Sequence, residues 1–382
     1  ITESDIEAVA EVLRSTWITQ GPKIQEFEER VAALCGAKYG VAFSSGTAAL
    51  HAACVAAGIG PGDEVITSPL TFVATANAAA YQGGIPVFAD IDSRTLTIDP
   101  GEIARRLTPK TKAIIPVHFA GLPCAMAPIA DLARRKGLTV IEDACHAFGA
   151  EWRSPDGTMQ RIGNCSHSDM AVFSFHPVKH ITTGEGGMVL TNRKDLVSTL
   201  RAFRHHGIVR AEEIDPAPEE PWAYQMQFLG YNYRITDFQC ALGLKQLARL
   251  DDSLRRRREI AMRYREACDR LGLISQDGDG PDRRHAWHLY VVQLPLERLA
   301  AGRKEVFKAL RDAGLPVNVH YAPVYLHPFY RERFGYRPGL CPKAERYYHT
   351  AITLPLSPRM APDDVERTVE IVQEVLVSLC AQ

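Results

Sequence analysis

The chain has 382 residues, 46% hydrophobic and 23% charged, an ordinary globular composition with room for two domains and a large core. Its formal net charge of −1 supplies no overall field to attract nucleic acid or an anionic membrane, so neither is expected as a partner. Nine cysteines occur without a C-x-x-C or any paired spacing, which fits buried thiols in a reducing, cytoplasmic setting rather than a disulfide framework.

Residues 3–14 carry Ile6, Val9, Ala10 and Leu13 at helical spacing, and a second helix over about 23–35 ends at Gly36. Strand Tyr39–Phe43 then runs into Ser44-Ser45-Gly46-Thr47 and an alanine-rich helix over 47–57, closed by Gly58. Short apolar strands follow at Glu64–Thr67, Ile85–Ile91, Ala113–His118 and Leu138–Glu142, alternating with helices over about 72–82, 101–107 and 126–136. That alternation predicts a largely parallel sheet covered on both faces, with its site at the carboxyl ends of the strands. Strands Met170–Phe173 and Met188–Thr191 flank a Gly-rich turn that contains Lys179. Residues 208–227, rich in Pro, Glu and Ala, read as a long loop. Thr236 to Gln239 form a capping box that opens a long helix to about Leu271, with a break near Asp251 and Asp252. The run Arg255–Arg258 on it reads as a solvated face.

After about residue 275 the pattern changes. Strand Leu289–Leu294, a helix over about 303–313, strand Pro316–His320 and a helix over about 362–380 predict a smaller α+β unit. The expected division is a large domain over 1–250 and a small one over 251–382. No apolar run approaches membrane-spanning length and no signal-peptide pattern opens the chain. The first residue is Ile1 rather than Met, so a few residues are expected to precede it.

Several motifs lead nowhere. His176 and His180 are four apart and His285 and His288 three apart, but Pro177 breaks helical geometry between the first pair and no third ligand clusters with either, so no metal is expected. No G-x-S-x-G elbow occurs, and no G-x-G-x-x-G follows the first strand. Three strand ends are chemically rich. Ser44–Thr47 open a helix whose backbone N–H groups and dipole suit an anion, although a Ser there also serves as a plain helix cap. Asp143 ends an apolar strand, where a carboxylate either caps the next turn or meets a cation. Ser174-Phe175-His176 leads to Lys179, which in such a Gly-rich turn is either an ordinary solvated loop lysine or, where the turn holds it rigidly and partly desolvates it, a nucleophilic amine.

A phosphate cradle, an acid for a ring nitrogen and a Schiff-base lysine together make a pyridoxal 5'-phosphate site. The arrangement resembles the DegT/DnrJ/EryC1/StrS family of sugar aminotransferases, within the aspartate-aminotransferase fold (fold type I). The resemblance rests on Ser44 to Leu50, Glu142-Asp143-Ala144, Ser174-Phe175-His176 with Lys179, Glu185-Gly186-Gly187 and Gly230 to Arg234. It implies Lys179 and Asp143 as catalytic residues. It implies Gly46, Thr47 and Ser174 on the cofactor phosphate, Phe72 on the ring face and His146 near the ring's O3' edge. Asn232 should reach the phosphate of a neighbouring subunit, which makes a homodimer with a shared active site. Thr19, Gln20, Gly21, Arg234, His320, Tyr321, Ala322 and Pro323 are implied as nucleotide-sugar contacts. Phe175 to Lys179 with Ile181 to Thr183, His146, His205 to Val209 and Val319 to Pro323 resemble the pseudaminic acid branch, with His180 departing from an expected Pro and a longer stretch at 211–222. That branch implies amino transfer from L-glutamate to C4 of a UDP-4-keto-6-deoxy-N-acetylhexose. The alternatives are another nucleotide-linked keto sugar, or a sugar dehydratase of the same family, which would carry His in place of Lys179.

Overall fold

The computed structural model describes residues 1–210, 214, 220 and 222–380. Helices α1 (Glu3–Leu13) and α2 (Pro22–Cys35) lead into β1 (Tyr39–Phe43) and α3 (Gly46–Ala56). Next come β2 (Glu64–Thr67), α4 (Ala74–Tyr81), β3 (Ile85–Phe88), α5 (Pro100–Arg106), β4 (Thr111–Ile115), α6 (Met126–Lys136) and β5 (Thr139–Asp143). A small hairpin of β6 (Glu151–Arg153) and β7 (Met159–Arg161) precedes β8 (Met170–Ser174), β9 (Gly187–Thr191) and α7 (Lys194–Arg204). Then follow β10 (Ile208–Arg210), β11 (Tyr224–Met226), α8 (Asp237–Leu247) and α9 (Leu250–Leu271). The remainder holds β12 (Ile274–Ser275), β13 (Arg283–Arg284), β14 (Tyr290–Gln293), α10 (Arg303–Asp312), α11 (Pro328–Phe334), α12 (Pro342–Thr350), β15 (Ala351–Leu354) and α13 (Pro362–Ser378).

The main sheet has seven strands in the order β1-β9-β8-β5-β4-β2-β3. Only β9 opposes its neighbours: it pairs antiparallel with both β1 and β8, and the other pairings are parallel. Both faces are apolar, as the unbroken runs Val41-Ala42-Phe43 and Met170 to Phe173 require, and these residues are fully buried. Each buried Val or Phe side chain contributes roughly 1.5–3 kcal/mol. Helix α3 is alanine-rich because it lies flat on the sheet between β1, β8 and β9. A second antiparallel sheet, β12-β14-β15, packs with α9, α10 and α13 around Ile260, Tyr264, Tyr290 and Val369. A further cluster joins Phe88 and Phe119 near the large sheet to Val291, Tyr325 and Tyr347, and ties the two parts together.

Several expectations fail locally. Helix α1 buries Ala8 and Val12, while Ile6 (53% exposed) and Leu13 (58%) face outward. Asp5 fixes that rotation, because its carboxylate receives Arg249 at 2.8 Å and Gln246 at 2.9 Å. The long helix breaks at Ala248–Arg249, just before the expected aspartates. Within Arg255–Arg258, Arg257 is buried, and its Nη1 donates to Trp287 O at 3.0 Å. Residues 316–320 make only an isolated bridge, Asn318 to Thr353, rather than a strand. Pro316 lacks the N–H that a ladder needs. Part of the expected loop 208–227 pairs as the β10–β11 ladder. Of the longer stretch 211–222, only 214, 220 and 222 are among the described residues.

Candidate active site

The turn between β8 and β9 is built so that one lysine projects while its neighbours are pinned. Phe175 is fully buried edge-on against Phe27 at 5.1 Å, and its N–H donates to Gly186 O at 2.8 Å. Thr183 N donates back to Phe175 O at 3.0 Å, and Lys179 N donates to His176 O at 2.9 Å. Gly187 allows this loop to lie against the start of α3, and Gly186 allows the loop to fold closely on itself. A Cβ on Gly187 would meet Ser45 O at 2.4 Å, and one on Gly186 would meet Thr183 Oγ1 at 2.2 Å. His180, the residue beside the lysine, is buried with Nε2 2.9 Å from Ala286 O.

Lys179 opens into a cavity of about 520 Å³ at the carboxyl ends of β1, β5 and β8. Burial pushes its amine below the usual lysine range, with the Cys145 thiol and the Asp143 carboxylate pulling it partly back. Asp143 is buried on the same wall; Oδ2 accepts from Thr75 Oγ1 at 2.6 Å and Oδ1 from Cys145 N at 3.1 Å. Each carboxylate oxygen therefore keeps a lone pair for a further donor. Gly46 and Thr47 start α3, and Ser45 caps it by accepting from Ala48 N at 3.1 Å. Ser174 approaches so closely that a Cβ on Gly46 would sit 2.8 Å from its own Cβ.

Phe72 is 57% exposed and lines the cavity, so it is not a core phenylalanine. His146 is buried, its Nε2 3.4 Å from Tyr321 Oη and its Nδ1 without a partner among the described residues. His320 also lines the cavity and is anchored by Thr353 Oγ1 at 2.9 Å. Burial, then the nearby Lys179 charge, pushes His320 down to about 4. Ala322 and Pro323 stand behind these two, with Pro323 buried where a short turn begins.

The other expected contacts lie elsewhere in a single chain. Gln20, Gly21 and Arg234 line a separate cavity of about 710 Å³. Arg234 Nη1 lies 2.6 Å from His205 Nδ1, and Thr19 bridges to Thr236. Gly21 N donates to the buried Asp237 at 2.8 Å, and a Cβ there would lie 2.7 Å from that carboxylate. Asn232 is exposed, bridged to His205, and does not line the Lys179 cavity. Sequence reasoning missed Thr75, Cys145 and His288. Thr75 carried a usable signal, a hydroxyl four residues after Thr71 at the start of α4. His288 carried none, since its proximity to Lys179 is set by the fold. Among the described residues no three His, Cys, Asp or Glu side chains cluster as a metal site would need.

Over residues 1–373 the chain matches the DegT/DnrJ/EryC1/StrS aminotransferase family. It is 43% identical to the spore coat polysaccharide biosynthesis protein SpsC of Bacillus subtilis over 98% of this chain and 95% of that one. Among solved structures it is similar to the putative sugar aminotransferase Spr1654 of Streptococcus pneumoniae in its PMP form, with TM-score 0.91, 29% identity and 99% and 98% of the two chains covered. It is also similar to Helicobacter pylori PseC, an aminotransferase involved in the biosynthesis of pseudoaminic acid, with TM-score 0.87, 29% identity and 99% and 98% covered.

Proposed function

Because the chain belongs to the DegT/DnrJ/EryC1/StrS aminotransferase family, we propose that it moves the amino group of L-glutamate to C4 of a UDP-linked 4-keto-6-deoxy-N-acetylhexose. The protein is a pyridoxal-phosphate-dependent sugar aminotransferase of fold type I. The observation that carries the reading is Lys179 sharing one strand-end cavity with the buried Asp143.

The residues present fit the cofactor. Asp143 keeps lone pairs free for a protonated ring nitrogen, Gly46 and Thr47 at the α3 N-terminus and Ser174 border the same cavity as Asp143 and can receive a phosphate, and Phe72 and His146 line that cavity too. When bound, pyridoxal phosphate supplies the electron sink that lets an amino group leave one carbon and join another. Lys179 would anchor the cofactor, and its Nζ, held below its ordinary basicity by burial, would carry a proton between the substrate carbon and the cofactor's C4' carbon. Asp143 keeps a proton on the ring nitrogen, Gly46, Thr47 and Ser174 bind the phosphate, and His146 orients the ring's O3' edge. His320 and Tyr321, with Ala322 and Pro323 behind them, position the sugar.

Thr19, Gln20, Gly21, Arg234 and Asn232 serve the cavity of a second copy in a homodimer. Their separation from Lys179 within one chain supports that assignment. Mixing Lys179→Ala with Asn232→Ala protomers, each inactive alone, is expected to restore activity through one intact site per mixed dimer. No activity from demonstrated mixed dimers counts against the shared site.

The PseC likeness supports the pseudaminic acid branch, with UDP-4-amino-4,6-dideoxy-N-acetyl-β-L-altrosamine as product. The higher identity to SpsC favours a second reading, a different nucleotide-linked keto sugar. Lys179 disfavours the dehydratase reading. The enzyme is cytoplasmic on this proposal; none of its nine cysteines is disulfide-bonded, and no described helix is long and apolar enough to cross a membrane. The test is incubation with L-glutamate and candidate UDP-4-keto sugars, reading amino-sugar product by mass and single-turnover rates by absorbance. The β-L-arabino keto sugar should react faster than its α-D-xylo epimer. The reverse order rejects the branch, and no reaction with any nucleotide sugar rejects the substrate class.

A further inference from the structure

Among the described residues, Lys179 Nζ has one polar neighbour within hydrogen-bond reach, His288 Nε2 at 3.5 Å. His288 stands 109 residues further along the chain and is buried. Its backbone is clamped. The His288 N–H donates to Ala120 O at 2.9 Å, and Arg257 Nη1 approaches its carbonyl at 3.5 Å. The residue before it, Trp287, is held at φ +51°, a left-handed conformation costly for a bulky side chain. The indole stacks on His285 at 3.9 Å and 3°, and Trp287 N donates to His285 Nδ1 at 2.8 Å, so the surroundings impose the conformation. The bent segment leaves the His288 imidazole facing the lysine.

The far side of the ring decides which nitrogen carries the proton. His288 Nδ1 is buried with no partner among the described residues. The His146 ring lies 4.4 Å away and the His180 ring 5.6 Å away. A neutral imidazole has one N–H and one lone pair. A buried N–H without an acceptor is rarer than an unsatisfied lone pair, so Nδ1 keeps the lone pair and Nε2 carries the proton. Nε2–H then donates to a neutral lysine amine. His180 cannot take this part, because its own Nε2–H is committed to Ala286 O at 2.9 Å.

We propose that His288 is a positioning residue whose Nε2–H holds the free, uncharged amine of Lys179 whenever that amine is not joined to the cofactor. The lysine stays aimed at the cavity through the part of the reaction in which it acts as a base. The inference rests on the reading of Lys179 given above. The electrostatics agree. Burial lowers the basicity of Lys179 against the pull of Cys145 and Asp143. Burial holds His288 well below the usual imidazole range, and any charge on Lys179, His146, His180 or Arg257 beside it pushes the same way.

Trace acetic anhydride labelling of the cofactor-free protein across a pH series, read by peptide mass, gives the pH at which Lys179 becomes reactive. His288→Asn cannot reach Nζ and admits water, so the ammonium gains stability and labelling below the midpoint falls about fivefold to tenfold. His288→Gln places an amide N–H near the lost Nε2 and keeps labelling within about twofold of the parent. If the Asn variant does not fold, His288→Ser takes its arm. An Asn or Ser variant that labels like the parent, or a Gln variant as depressed as Asn, overturns the inference. Borohydride reduction of the loaded parent runs alongside, and the absence of a pyridoxyl mass on Lys179 there overturns the reading of the lysine itself.

Discussion

Lys179→Ala is expected to lower turnover by at least about 10⁴-fold, because one substitution removes both the cofactor anchor and the proton-moving group. The turn should survive it. The loop is fixed by main-chain bonds at Phe175, Lys179 and Thr183 and by the buried Phe175 ring, none of which needs the lysine side chain. Pyridoxal phosphate should still bind through the start of α3, but borohydride should no longer fix a pyridoxyl mass at this position. A variant that keeps more than about one hundredth of parent activity would sink the assignment.

Asp143→Asn should cost about 10²–10³ in kcat/KM, the usual scale for losing one preorganised electrostatic contact. The substitution conserves shape. An amide oxygen can still accept from Cys145 N, and the Thr75 hydroxyl can rotate to accept from the new N–H. Thermal stability should therefore change little while activity falls, a split that a merely structural aspartate would not give. Comparing melting temperature with kcat/KM checks it, and activity within tenfold of the parent would mean that Asp143 does not hold the ring proton.

The large sheet was legible because its signals are local. Apolar runs such as Met170 to Phe173 and Thr139 to Ile141, with Gly at helix ends, mark each strand and helix independently of the others. Lys179, Asp143 and the Gly46 turn were legible for a related reason: all three sit at strand ends, which a parallel sheet brings together. Errors arose where tertiary contacts override local pattern. The Asp5–Arg249 pair rotates α1 away from its apparent apolar stripe. Arg257 is drawn inward by the carbonyls of Trp287 and Leu356. Residues 316–320 look like a strand until Pro316 and a single bridge at Asn318 leave no ladder. Pairing of the lysine with His288 depends on a kink at Trp287 that no period in the sequence announces.

The reversed direction of β9 has a kinetic meaning. A parallel β8–β9 pair would need a crossover that runs back along the whole sheet, usually as a helix, carrying residue 179 out of the sheet layer. The antiparallel pair closes instead through residues 175–186, with Ser174 opposite Gly187 at the last rung. A lysine on that short span is leashed at both ends by the same ladder. When its amine lets go of a partner it cannot diffuse away. Its effective molarity at the reacting carbon stays high, and rebinding is an intramolecular event that spends none of the translational entropy a free amine would lose.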